Sequence, residues 1–430
     1  MKASTFARNI ALVTVAGALI ACAAQQQGES APAPGRTTAA ITPSDLRTRL
    51  YIYADDSMMG REAGTIGNYK ATAYIAEQVK RMGLVPAGDN GTYFQDIKSS
   101  SSRFQPTNPD YARNVVAILP GSDPVLKDEY VAIGAHNDHI GVRPTAVDHD
   151  SLEAYNSELT RRGAPVWDRS KRALRDSLKE LIHVNIDSLR RIRPARRDSI
   201  ANGADDDGSG TVTVLEIAEA LAAMPVKPKR SILFVWHTAE EKGLLGSKYY
   251  TENPTVPRGQ IVAQLNMDMV GRGSAADIDS GGPDYLQLVG SRRVSTELGD
   301  IVEQVNAAQT RPFKFDYQFD ANGHPERIYC RSDHYMYARY GIPITFFTTG
   351  LHPDYHQVTD EPQYIDYTHM ARVADLVRDI AVKVANLDHR PKVDHAVGDP
   401  MAPCVQYDLA VLRRLRLRLV PGIIFFGSDG

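Results

Sequence analysis

Glu240 and Glu241 stand side by side in His237-Thr238-Ala239-Glu240-Glu241, directly after the apolar run Ser231 to Trp236. That run is β-branched and aromatic enough to predict a buried strand, so both carboxylates fall at a strand's C-terminal mouth, where open α/β sheets place their chemistry. Adjacent acids repel, and a bound cation or a shared proton would offset the repulsion. Alone, the pair also fits a solvated acidic turn opening a helix, since Glu favours a first turn.

Four further clusters sit in comparable places. His136-Asn137-Asp138 follows a short apolar run from Tyr130, and Gly203-Ala204-Asp205-Asp206-Asp207-Gly208-Ser209-Gly210 opens a helix; Asn266-Met267-Asp268 lies in a run from Ile261, and Tyr355-His356 comes after one from Ile342. Imidazole and carboxylate are the ligands zinc takes outside thiolate sites, and a carboxylate can bridge two ions. Singly, each cluster fits an exposed histidine, a solvated turn or a helix cap. Asp268 is harder to place that way, because a carboxylate buried in an apolar run costs several kcal/mol unless compensated. Five such clusters together point to a metal site held by His and carboxylates.

The elements that must position them alternate. The pattern predicts a short helix from Ser44 through Leu50 and a stronger one over 65–82, then strands over 114–119 and 130–133. A helix over 210–223, strands over 231–236 and 261–270, a helix over 294–307, a strand over 342–347 and a closing helix over 367–387 follow. Strands alternating with helices imply an α/β fold, a mostly parallel sheet with helices on both faces. Residues 142–197 break the alternation: they are charged and Arg-rich, with Leu174, Leu178, Leu181, Ile182, Ile186 and Leu189 at helical spacing, which predicts one amphipathic helix inserted in a loop.

With 430 residues and a formal net charge of -3, the chain can bury a large core and has no field to steer a nucleic acid. Lys2 and Arg8 precede an apolar stretch, Ile10 to Ala21, too short to span a bilayer, so residues 1–22 are expected to be an export signal. Leu19-Ile20-Ala21-Cys22 resembles a bacterial lipobox. A lipid anchor at Cys22 would place the chain in the cell envelope, outer membrane or periplasm, and an ordinary cut near Ala21 to Ala24 would make it secreted. Residues 23–43 read as a flexible linker and 44–396 as the folded domain, while the tail 397–430 has no assignable role. Cys330 and Cys404 could pair in an oxidising compartment, though sequence does not show them to be close.

The order His-x-Asp, Ala-Asp-Asp, Glu-Glu, Met-Asp-Met, Tyr-His resembles the secreted co-catalytic zinc exopeptidases, metallopeptidase family twenty-eight. The likeness covers roughly Met58 to Leu387, including Gly60-Arg61-Glu62-Ala63-Gly64-Thr65 and Asn114 to Gly121. It implies a three-layer α/β/α, phosphorylase/hydrolase-like domain with a mixed, mostly parallel sheet. It also implies two zinc ions per chain, with His136 and Asp268 on one, Glu241 and His356 on the other, and Asp206 bridging. Glu240 would be the general base, Asp138 would fix the His136 tautomer, and a cis peptide would join Asp206 to Asp207. His352 competes with His356, which is preferred for its preceding Tyr and for Asp360 at the family spacing. His139, His237 and His334 read as structural or as residues standing behind the ligands. Gln357-Val358 replace the usual Thr-Pro after the histidine, which changes the loop and leaves the ligand.

The implied activity is aminopeptidase action on peptides with a free N-terminus. Glutaminyl cyclase or carboxypeptidase chemistry on the same scaffold, and a non-catalytic surface-binding module, are the alternatives. Because the insertion leaves after His136 and returns before Asp206, both its ends are tied to the site's rim; it is expected to form a wall or lid limiting substrate length, or a dimer contact.

Overall fold

The computed structural model describes residues 37–98, 104, 106, 108, 111–275, 277, 278 and 280–406. The expected signal, most of the linker, and the Leu412 to Leu419 and Ile423 to Phe426 parts of the tail lie outside these residues.

The apolar runs form the middle of a nine-stranded mixed sheet. Its strands are β1 (Val85–Pro86), β2 (Phe94–Asp96), β3 (Arg113–Leu119), β4 (Tyr130–His136), β7 (Ser231–His237), β8 (Ile261–Met267), β9 (Tyr285–Val289), β10 (Lys314–Asp316) and β11 (Ile344–Thr348); β5 (Gly141–Asp148) and β6 (Arg197–Ala201) form a separate antiparallel ribbon. The order is β1-β3-β7-β4-β8-β11-β9-β10, with β2 on β3. The run β7-β4-β8-β11 is parallel, and antiparallel pairs flank it at β3–β7 and β11–β9.

Period-two alternation divides the strands between two layers of helix. Ile232, Phe234 and Trp236 of β7 enter a core that includes Leu46 and Leu50 of α1 (Pro43–Tyr53), Ile75 and Val79 of α2 (Ile66–Arg81), and α6 (Gly210–Ala223) and α10 (Tyr367–Ala385). Leu233 and Val235 face the other way, toward Tyr250 of α7 (Leu245–Glu252) and Tyr337 of α9 (His334–Ala338). The three-layer α/β/α expectation is met. At α1 the cap is Thr42, whose hydroxyl accepts from Asp45 N at 3.0 Å, rather than Ser44. The last helix before β10, α8 (Thr296–Ala307), starts two residues later than the expected 294 and is capped by Ser295, whose hydroxyl accepts from Leu298 N.

Three expectations need correction. β8 stops at Met267, so Asp268 sits just past the strand's end and not within it. The insertion is not one amphipathic helix: α3 (His149–Arg161), α4 (Arg172–Leu178) and α5 (Ile186–Ile192) are separate and stand on the β5–β6 ribbon. Its apolar stripe is not a buried face either, since Leu174, Leu181 and Ile186 are exposed and only Ile182 is buried, in a small cluster with Leu159 and Ala164. Long arginine pairs, Arg190 to Asp148 and Arg193 to Asp150, hold these helices in place of a core.

Candidate metal centre

The parallel strands deliver the sequence-predicted residues to one mouth. His136 ends β4, Asp268 follows β8, Glu240 and Glu241 follow β7, Asp206 precedes α6, and His356 lies in the loop after β11. All of them come together. His136 Nε2 is 3.2 Å from Asp206 Oδ1 and 3.6 Å from Asp268 Oδ1. His356 Nε2 is 3.0 Å from Asp206 Oδ2 and 3.1 Å from Glu241 Oε2. His136, Asp206 and Asp268, and separately His139, Asp206 and Glu241, present ligand atoms within 4.8 Å of one another, close enough to hold a metal ion.

Main-chain hydrogen bonds fix this arrangement. The Asp207 carboxylate accepts from the backbone N–H of His136 at 3.0 Å, Gly210 at 2.9 Å and Met269 at 3.2 Å, stitching β4, α6 and the end of β8 around Asp206. The peptide between Asp206 and Asp207 is cis. Asp360 accepts from Asp205 N and Asp206 N at 3.0 Å, and Asp205 accepts from Gly271 N at 2.7 Å. From the other side the buried Arg61 donates to the carbonyls of Tyr53, Asn202 and Gly203. Gly203 has φ +55, and a Cβ there would lie 2.3 Å from Asp206 O and 2.5 Å from the His139 ring.

Asp138 does its work differently from the expectation. His136 Nδ1 lies 3.0 Å from the Asp138 carbonyl and 3.7 Å from its carboxylate, and that carboxylate accepts from Glu240 N at 3.0 Å. Asp138 therefore ties the tautomer of one residue to the backbone position of the other. Of the histidines expected to be structural or to stand behind the ligands, His139 does the latter: its Nδ1 lies 2.9 Å from Glu241 Oε1. The remaining histidines do not. His352 faces Asp205 Oδ2 at 3.2 Å, His237 bonds Tyr337 Oη at 2.9 Å, and His334 stacks on Phe346.

The two adjacent acids are electrostatically unlike. Burial, and then the negative charges of Glu241, Asp268 and Asp333, push the Glu240 carboxyl well above its ordinary range, although His136 opposes them. Burial and Asp206 also push Glu241 up, but His356 and His139 outweigh them and hold it at about 2. Asp206 likewise stays well below the usual range, its burial overcome by His136 and His356. Neighbouring carboxyls held apart in this way suit one for ligation and the other for proton transfer.

Beside the acids opens a cavity whose walls include Glu240, Asp268 and His356 and the apolar side chains of Met269, Phe319, Ile328, Phe346 and Leu351. Arg331 and Tyr355 also line it; Arg331 donates to Tyr355 Oη at 3.1 Å, and the Tyr355 ring stacks on His356. Cys330 and Cys404 form a disulfide at this rim. Among the described residues no helix is long and apolar enough to cross a membrane.

Residues 176–381 match the model of peptidase family M28. Leucine aminopeptidase 1 of Aspergillus fumigatus is 31% identical over 196 residues, which are 43% of this chain and 47% of that protein. The chain thus spans about half the length of the curated relatives it matches. Among solved structures, the LapA aminopeptidase of Legionella pneumophila is similar with a TM-score of 0.53 and 18% identity, over 81% of this chain and 73% of that one. A glutaminyl cyclase of Porphyromonas gingivalis is similar with a TM-score of 0.51 and 18% identity, over 79% of this chain and 97% of that one. At such identities these structures speak for the fold alone. Fold and donor set together give an α/β domain with imidazole and carboxylate donors gathered at one sheet mouth, as a metal site requires. The stretch similar to peptidase family M28, residues 176–381, contains Asp206, Glu240, Glu241, Asp268 and His356, while His136 reaches the same site from the preceding β4.

Proposed function

We propose that the chain is a zinc aminopeptidase that releases N-terminal residues from peptides with a free N-terminus. The observation that carries this reading is the divided use of Asp206, whose Oδ1 faces His136 and whose Oδ2 faces His356. A carboxylate shared between two ligand groups suits a bridge. The donor set fits zinc, being imidazole and carboxylate throughout: the buried Asp206 Oδ2 and Glu241 Oε1 face only imidazole nitrogens, of His356 at 3.0 Å and His139 at 2.9 Å, and His139 Nε2 is buried without a hydrogen-bond partner. His136 and Asp268 would hold one ion, Glu241 and His356 the other, and Asp206 would join them, giving two zinc ions per chain. When bound, they supply Lewis acidity toward water and the scissile carbonyl.

The chain's own groups do the rest. Glu240, with its raised affinity for a proton and its place on the cavity wall, takes a proton from the attacking water and delivers it to the leaving amine. Asp138 holds the Glu240 backbone and the His136 ring in register. The apolar wall receives the substrate's first side chain. The carboxylates beside it offset the substrate's cationic α-amino group, which favours removal of terminal residues over internal cleavage.

Export to the cell envelope with a lipid anchor at Cys22 is part of the proposal. The signal-like residues 1–22 support it, as does the Cys330–Cys404 disulfide, which suits an oxidising compartment.

The test compares wild type with Glu240→Gln on a panel of aminoacyl anilides and an N-terminal Gln peptide, with zinc content measured for both. Wild type should release free residues. The variant should keep its zinc and lose roughly 10²- to 10⁴-fold in kcat. Full activity in the variant would remove the base assignment, and conversion of the Gln peptide to pyroglutamate without residue release would replace the aminopeptidase reading with a cyclase.

A further inference from the structure

The segment before the described residues end, Asp399 to Gln406, follows the stretch matched by the family model, yet it is fastened to the wall of the substrate cavity. Gln406 is only 2% exposed. Its Nε2 donates to the carbonyls of Phe319 at 2.6 Å and Ala321 at 2.8 Å, and its Oε1 accepts from Tyr329 N at 3.3 Å. Its own carbonyl accepts from Gly323 N at 2.9 Å, and the carbonyl of Cys404 accepts from Arg327 at 2.8 Å. Both amide hydrogens and the amide oxygen of one buried side chain are therefore used, all on residues 319–329. The disulfide to Cys330 joins the same stretch covalently.

That stretch supplies Phe319 and Ile328 to the cavity, and Arg331 follows just after it. Its regular structure is limited to two single 3-10 turns, Gln318–Asp320 and Ile328–Cys330, so no strand ladder or long helix sets its shape. A loop of this kind takes its conformation from the groups that satisfy its main chain. Arg293, bonded to Asp320, holds one side of it. Gln406 holds the middle.

We infer that Gln406 is a positioning residue for the substrate cavity, tethered by the Cys330–Cys404 bridge, so that this part of the tail sets the fit of the substrate's first side chain. The inference rests on the reading that the cavity receives that side chain. Removing the carboxamide frees two carbonyls and an N–H of the loop and lets Phe319 and Ile328 withdraw, while the ligand residues, which lie on other segments, keep their places.

Gln406→Ala should raise KM for leucyl anilide about tenfold, the equivalent of about 1.4 kcal/mol, with kcat within about twofold and zinc content unchanged. KM for alanyl anilide, whose side chain scarcely reaches the apolar wall, should move less. Gln406→Glu keeps the acceptor and the size but turns an anion toward the Phe319 and Ala321 carbonyls, so it should not restore KM. Amide exchange at Gly323 and Tyr329 should accelerate in Gln406→Ala and in the double variant Cys330→Ser/Cys404→Ser. That readout needs no turnover, so it tests the brace even if wild type proves inactive on anilides, a result that would count against the aminopeptidase reading instead. Unchanged exchange in folded Gln406→Ala overturns the inference, as does an unchanged ratio of leucyl to alanyl KM in an active, zinc-loaded variant.

Discussion

Asp207 and Asp150 are both buried carboxylates, and they are satisfied in opposite ways. Asp207, at the mouth of β4 and β8, accepts from three backbone N–H groups, one ending β4, one opening α6 and one in the turn after β8. Asp150, at the start of α3 in the insertion, is met by the side chains of Arg193 and Arg196, both substantially exposed. A backbone N–H can be held only by fixing the main chain that carries it. An arginine reaches its acid through several rotatable bonds and leaves its own backbone free. The strand-mouth centre is thus built for position, and the insertion for attachment.

The largest test of that contrast is Asp207→Asn. The amide keeps the shape but turns an N–H₂ toward at least one of the three N–H donors. A buried donor left unmatched costs about 1–3 kcal/mol. Asp207→Asn should lower the urea midpoint and reduce zinc content below two ions per chain, whereas Asp150→Asn should leave zinc content intact and shift the midpoint by much less. Equal shifts would erase the distinction between the regions.

How far each region is legible in the sequence follows the same division. The strands are fully buried between two helical layers, so Ser231 to His237 and Ile261 to Met267 read as unbroken apolar runs, and the acids and histidines at their ends stand out by type. Asp206, Glu240, Glu241, Asp268 and His356 could be found that way. For His139 the choice between a structural place and one behind the ligands stays open, because its approach to Glu241 depends on how the chain turns after β4, which no local pattern encodes. The use of the Asp138 carbonyl in place of its carboxylate is equally invisible. In the insertion the error ran the other way. Leucines at helical spacing promise a buried face, but Leu181 and Ile186 are exposed, and the connection between Leu178 and Ile186 breaks the helix where periodicity alone shows no stop. Strands β1, β2 and β10 are two or three residues long and carry no period to read, and in β9 the buried Gln287 interrupts the apolar run.

A second, smaller effect is expected from replacing residues 149–196 with a short Gly-Ser linker while keeping the β5–β6 ribbon. If the insertion is attached and not structural, zinc content should hold, and turnover of small anilides should stay within about threefold, since surface loops tolerate such exchange. The ratio of long to short peptide turnover should rise, because α3 reaches the rim through Glu153, which accepts from Tyr364 Oη at 3.0 Å, and through His149 beside Glu361. An unchanged ratio in a folded, zinc-loaded variant would remove the lid role.

The smallest effect sharpens where one region stops and the other begins. Arg143 lies on the ribbon, yet it donates to the carbonyl of His356 and to Gln357 Oε1, so the insertion's base reaches a proposed ligand. His356 has φ +59, a left-handed conformation that costs a non-glycine residue of order 1 kcal/mol and has to be held by its surroundings. Arg143 is one of those holds, and it acts on the backbone, as the strand-mouth carboxylates do. If two zinc ions bind as proposed, Arg143→Ala should weaken the position of Glu241 and His356 by about tenfold, leaving the His136 and Asp268 position unchanged in a stepwise chelator titration. Loss confined to one step would assign the ribbon to the positional centre, with the insertion beginning only at α3. Two unchanged steps would show that the left-handed turn at His356 is held without the ribbon, by Tyr355 and the 3-10 turn after Glu361, and would return Gly141–Asp148 to the attached region.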